Sequence, residues 1–142
     1  MNATAAAVAT AATFVWLGMV LAISFLEAPL KFRAPNVTVR IGLGIGRLVF
    51  RALNRVEAVL ATVIVAAVAA GDPPVPVAVL AALPAVLLAV QLTAVRPVLN
   101  RRSDRVLVGE EVPRSRAHLV YVACEAAKAV TLLALGIVTL TA

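Results

Sequence analysis

Cysteine, histidine, tryptophan and tyrosine each occur once in these 142 residues, and aromatics make up only 4% of them. A single thiol builds neither a disulfide framework nor a cysteine-based metal knuckle within one chain. Cys124 lies in an apolar run, and we read it as small core packing. One imidazole, His118, excludes a bis-histidine haem within the chain and leaves only a haem shared between protomers or ligated once. It also excludes a di-iron bundle of the kind that repeats Glu-x-x-His on two helices. Charge is scarce too: 14% of residues are charged against 63% hydrophobic, and the mean hydropathy is +1.03. A soluble domain of this size has too little interior to hide that much apolar surface, so the solvent that fits is lipid. Ala, Val and Leu supply most of the hydrophobicity, which suits helices packed through small side chains.

What charge there is falls unevenly. The net +6 would ordinarily raise nucleic acid as a partner, but twelve of the thirteen Lys and Arg lie in two segments, Lys31 to Arg55 and Arg96 to Arg116. The turn at Gly71 to Pro76 carries only Asp72. This is the positive-inside pattern, and it predicts two basic cytoplasmic loops, both termini outside and a multi-pass location in an inner (plasma) membrane. Nucleic acid is set aside, and the first partner is the bilayer. The start, MNATAAAVAT, has no basic stretch ahead of its apolar run, which predicts an uncleaved N-out first helix.

Residues 1–142 therefore read as a single transmembrane domain, an all-α four-transmembrane-helix bundle with spans at about 5–30, 48–70, 74–95 and 117–140. Lys31, Arg33 and Pro35 end the first span. The stretch before the second mixes Gly42, Gly44 and Gly46 with Arg47, Arg51 and Arg55 and reads as interfacial, with those arginines on lipid headgroups. The glycines lack the spacing of a phosphate cradle and indicate close packing or an interfacial bend. Gly71, Asp72, Pro73 and Pro74 form a short outer turn. Pro84 predicts a modest kink in the third span. RPVLNRRSDRVLVGEEVPRSR predicts a folded or membrane-lying loop of about twenty residues, with Ser115 capping the fourth span. The two hairpins show at most a weak relationship, insufficient for an inverted-repeat transporter.

Ionisable groups inside a span cost roughly 2.5 to 3.5 kcal/mol each at the helix centre, so each needs a reason. His118, Tyr121, Glu125 and Lys128 recur at intervals of three, four and three, which puts them on one face of the fourth helix. Glu27, Asn54, Glu57 and Gln91 lie in the same half of the other three spans. A bundle would gather these eight into one intramembrane polar cluster open to the cytoplasm. The blander reading is that Glu27 with Lys31, and Glu125 with Lys128, simply neutralise one another. As metal ligands, Glu57, His118 and Glu125, with Glu27, suit iron, manganese or zinc. Ser103, Asp104 and His118 form no recognisable nucleophile constellation.

Two resemblances add to this. In RLVFRALNRVE, Arg51, Ala52, Asn54 and Glu57 resemble the second-helix signature of the membrane-associated proteins in eicosanoid and glutathione metabolism, which implies a four-helix trimer binding glutathione. The family's gap between Arg-Ala and Asn is one residue longer, and its tyrosine-containing signature near the third helix is missing. GMVLAISFLEAPLKF, with Glu27, Ala28, Pro29 and Phe32, and SRAHLVYVACEAAK, with His118, are similar to uncharacterised bacterial four-helix membrane proteins related to the copper-resistance D type. That resemblance implies a fold and a membrane; the Met and His clusters favoured by soft copper sites are lacking here.

Three functions fit. The first is an accessory or structural subunit of a membrane assembly, homo-oligomeric or part of a larger complex, with polar residues as interhelical glue. The second is a proton- or cation-coupled carrier using Glu57, Glu125, Lys128 and His118. The third is a metal- or haem-binding redox protein or a glutathione-type membrane enzyme. The sequence singles out no cofactor.

Overall fold

The structure, a computed structural model, describes residues 1–142. It is all-helical, with four helices long and apolar enough to cross a membrane: α1 (Ala3–Lys31), α2 (Val39–Ala70), α3 (Val75–Leu107) and α4 (Arg116–Leu140). Polar side chains start the first two. Asn2 accepts a hydrogen bond from the Ala5 amide at 2.7 Å and Thr38 from the Ile41 amide at 3.2 Å, each satisfying a donor that the first turn leaves free. Ser115 occupies the cap position of α4, but its side chain makes no capping bond. The connections use residues that tolerate left-handed backbone, Asn36 (φ 66°) before α2 and Asp72 (φ 53°) between α2 and α3.

Two helices are longer than their apolar runs. α2 begins at Val39 rather than near residue 48, so the glycine-arginine stretch is helical. Gly42 and Gly46 are buried under the Phe32 and Lys31 side chains, and a Cβ at Gly46 would lie 3.0 Å from Lys31 Nζ. Absence of a side chain lets the end of α1 settle there. α3 runs on past Val95 to Leu107, so half of the expected loop is helix. Its charged extension is held by an Arg47–Asp104 ion pair to α2, and Arg102 Nε donates to the carbonyls of Val112 (3.1 Å) and Pro113 (3.2 Å). The remaining residues of that loop are thereby folded back onto α3. Hydropathy missed both extensions because hydrogen bonding continues where apolarity stops.

Each odd-numbered helix contains a widened, π-helical segment, Leu21–Glu27 in α1 and Gln91–Val95 in α3. Pro29 and Pro97 follow each segment by two residues. A proline has no N–H to give, and its ring presses on the carbonyl four residues back. Shifting the register relieves this, with the Ala28 amide bonding to Ile23 O and the Arg96 amide to Gln91 O, both five residues back. Pro84, where the irregularity was expected, sits buried in α-helix, and the change of register lies further along α3.

α1 and α3 each pack against both α2 and α4, closing an antiparallel ring. Trp16, Val20, Ile64, Val77, Leu132 and Leu135 form the middle of its core. Only 30 of 142 residues are buried in a chain that is 63% hydrophobic, so large apolar side chains such as Leu48, Val59, Val86, Leu119 and Val130 face outward. That surface is matched to acyl chains rather than water. Cys124 is only partly buried, outside the core expected for it. Gly71 lies against Ala5 and Met1, which places the Asp72 turn beside the N-terminus and both arginine-rich segments at the opposite end.

The two hairpins repeat one another. Pro29 and Pro97, Glu57 and Glu125, and the buried pairs Leu53/Tyr121 and Ile64/Leu132 are each 68 residues apart. On α1 and α3 the buried Thr13, Trp16 and Val20 correspond to Ala81, Pro84 and Leu88 at the same offset. Both hairpins start at the same end, so the repeat is parallel, about an axis along the bundle. The weak relationship in sequence is a definite one in structure, carried by burial and proline rather than by identity.

Ala9 is 0% exposed and Val130 68% exposed. Ala9→Leu is expected to destabilise the bundle by about 1 to 3 kcal/mol through overpacking, and Val130→Leu by less than about 0.5 kcal/mol. Reversible unfolding in detergent micelles measures both; equal effects would contradict the assigned inside and outside of the bundle.

Candidate functional site

Lys128 occupies the middle of the bundle, 0% exposed, between two carboxylates on different helices. Its Nζ donates to Glu57 Oε2 of α2 at 2.5 Å and lies 2.7 Å from Glu125 Oε1, one turn back on α4. An ammonium has three donors and no acceptor, so two carboxylates use most of what it offers. Each carboxylate is also held from a further helix. Trp16 Nε1 of α1 donates to Glu57 Oε2 at 2.7 Å. Glu125 accepts from Gln91 Nε2 of α3 at 2.7 Å and from Ser24 Oγ of α1 at 2.5 Å. One connected network thus joins all four helices.

The two π-helical segments supply two of these donors, Ser24 from the middle of the first and Gln91 from the start of the second. Single widened turns of this kind recur at functional positions in helices. Here both turns aim at Glu125. With two carboxylates and one ammonium the network carries a formal charge of −1. Glu57 Oε1 and Gln91 Oε1 are buried without a hydrogen-bond partner.

Of the eight residues expected to cluster, four meet here: Glu57, Gln91, Glu125 and Lys128. The others do not. Glu27 stays with its helical neighbour Lys31 at 3.6 Å, half-buried near the end of α1. Asn54 lines a groove of about 340 Å³ with Arg51, Arg55 and Arg96 on the face between α2 and α3. His118 and Tyr121 line a separate cavity of about 360 Å³ at the basic end. Tyr121 meets the Phe50 ring edge-on at 5.7 Å, with the Arg96 guanidinium 4.5 Å from its own ring centre. Of the expected headgroup arginines, Arg51 and Arg55 are exposed, whereas Arg47 is paired with Asp104.

The metal set of Glu57, His118 and Glu125 is not assembled, and no three His, Cys, Asp or Glu side chains come together as ligands. Lys128 already stands where a cation between the two carboxylates would sit. The periodicity of α4 puts His118 on the right face, but the seven residues that separate it from Glu125 span two turns, and it lines the basic-end cavity instead.

Trp16 and Ser24 join the network from outside the expected set, since neither carries the charge that marks a group as costly within a span. The lone Trp at mid-span was the available signal: a buried indole N–H needs an acceptor. Arg96 and Phe50, which build the basic cavity, were hidden in what reads as a loop and an interfacial stretch. Compared with known protein families, curated proteins and solved structures, the chain matches none significantly.

Removing one partner of a buried ion pair leaves an uncompensated charge, so Lys128→Met is expected to cost about 3 to 5 kcal/mol. Adding Glu57→Gln and Glu125→Gln to Lys128→Met should recover most of that, because the carboxylates then need no counter-charge. A triple variant no more stable than Lys128→Met in a micelle unfolding series would refute the charge balance described here. The single tryptophan gives an independent signal: Trp16 emission should shift in Glu57→Leu and stay unchanged in Glu27→Gln.

Proposed function

We propose that this small membrane protein is an accessory or structural subunit of an inner-membrane assembly, with its termini outside and its arginine-rich end in the cytoplasm. The observation that supports this most is the closure of the charged network. Glu57, Glu125 and Lys128 are at most 1% exposed, and neither basic-end cavity is lined by any of them. A carrier needs its exchanging groups to meet water from at least one side. A buried cluster whose hydrogen bonds join side chains of all four helices instead locks the relative positions of the helices. What is left to interact is the outer surface, with Leu, Val and Ala facing lipid or the helices of a partner, a second copy included.

A second reading, a proton- or cation-coupled carrier, draws on the excess carboxylate. Two buried carboxylates on one ammonium leave Glu57 Oε1 free to accept, and this one atom is where a proton would be taken up. His118 has no direct part in that reading. A metal or glutathione chemistry would have to begin by displacing Lys128 and Trp16 from Glu57.

The two readings separate on reconstituted protein. Wild-type proteoliposomes are expected to show no proton flux above protein-free vesicles, and Glu125→Gln to insert normally while losing its association with the native complex on blue-native gels. Proton flux in the wild type that Glu57→Gln abolishes would decide for the carrier. Orientation has its own test in a Cys124→Ser background. A membrane-impermeant maleimide should label Asp72→Cys in intact cells and Val108→Cys only after permeabilisation; the reverse order would overturn the topology.

A further inference from the structure

The cavity at the basic end is unused by the network. It lies between the hairpins: Ala28 with Arg96, Lys31 with Leu99, and Phe32 with Asn100 line it as pairs 68 residues apart. Clefts between packed helices, and junctions between repeats, are frequent places for ligand sites in helical membrane proteins. Its volume is about 360 Å³.

The lining has one sign of charge. Lys31, Arg47, Arg96, Arg102 and Arg114 contribute to it and no carboxylate does. Three of the five have partners elsewhere: Lys31 is near Glu27, Arg47 is paired with Asp104, and Arg102 donates to loop carbonyls. Arg96 does not. Its Nε and Nη2 are buried without a hydrogen-bond partner, and its guanidinium packs against two aromatic rings, 5.0 Å from the centre of Phe50 and 4.5 Å from that of Tyr121. Tyr121 is 8% exposed, and its hydroxyl is also buried without a partner. Leaving such groups unsatisfied costs free energy that a ligand oxygen would recover. A planar fork with unpartnered N–H groups, held against two rings, has the geometry that pairs with a tetrahedral oxyanion. Val39, Leu43 and Leu99 make one wall apolar, room for the uncharged part of a larger molecule.

We propose that this cavity binds a phosphate group, with Arg96 as its principal ligand and the Tyr121 hydroxyl as a second donor. The group is either the headgroup of an anionic phospholipid in the surrounding leaflet or a soluble phosphate from the aqueous side. The proposal does not depend on the subunit reading, since either a subunit or a carrier can hold such a ligand.

Native mass spectrometry of the full chain, titrated with phosphatidylglycerol, phosphatidylcholine or inorganic phosphate, tests this. Retention of phosphatidylglycerol over phosphatidylcholine identifies the lipid source; thermal stabilisation by inorganic phosphate, absent with chloride, identifies the soluble one. In either case Arg96→Gln should weaken binding about tenfold or more, the scale of a lost charge-assisted pair, and Tyr121→Phe by a smaller factor. Arg105→Gln removes the same charge from a residue that does not line this cavity and should leave binding unchanged. Wild-type Trp16 emission in each variant checks that the bundle is intact; where Arg96→Gln fails this, Tyr121→Phe and added phosphate carry the test. Binding of neither probe, or equal loss in Arg96→Gln and Arg105→Gln, would overturn the proposal.

Discussion

Lys128 carries a charge at the centre of a bundle that offers it no water. Isolated in such a place an ammonium is expensive, and the surroundings lower that cost only by placing opposite charge and hydrogen-bond acceptors within contact distance. The carboxylates of Glu57 and Glu125 do this at 2.5 and 2.7 Å, and they in turn need the donors of Trp16, Ser24 and Gln91. Much of the architecture follows from that requirement. The four helices must approach closely enough for these six side chains to touch, and they must do so in one rotational setting. Apolar packing among Ala, Val and Leu tolerates many settings, since one small side chain replaces another at little cost. The charged network tolerates very few.

The widened turns show how the backbone accommodates this. A proline two residues after each one removes an amide and displaces a carbonyl, and the helix responds by shifting its hydrogen bonds to residues five apart. The same segments that absorb the prolines carry Ser24 and Gln91, whose side chains both meet Glu125. The two similar hairpins each carry this device. They also supply two acidic positions, Glu57 and Glu125, where a single intramembrane ammonium has only one counter-charge to match. The two halves differ at the partners of these acids: Leu60 stands where Lys128 does, and Ile23 where Gln91 does. The two halves have become unequal contributors to a shared centre.

Polarity is divided along the bundle into two kinds of site. At its centre, donors and acceptors meet one another and water is excluded. At the basic end, cationic side chains outnumber their partners and enclose a cavity, with Tyr121 at the boundary, one turn from Glu125 and facing Arg96. A stable centre and an open end are compatible because one helical turn of packed side chains separates them. The lower dielectric of the centre favours closed ion pairs; the interfacial position of the other end leaves room for ligand oxygens.

Much of the fold was legible in the residues alone. Long apolar runs, charge gathered into two segments and a Gly-Asp-Pro-Pro turn determine four membrane-length helices and their alternation, because burial in lipid depends on composition and length, which a sequence carries directly. The 3-4-3 spacing likewise placed Tyr121, Glu125 and Lys128 on one face of α4 whatever the neighbours were. Which of the polar residues meet was decided only in three dimensions. Glu57 and Glu27 look alike as acids in apolar helices, yet one reaches Lys128 across the bundle and the other ends beside Lys31, because helix rotation and the register shifts before Pro29 and Pro97 set where each side chain points. Contact across helices is a property of their packing, and no single helix encodes it.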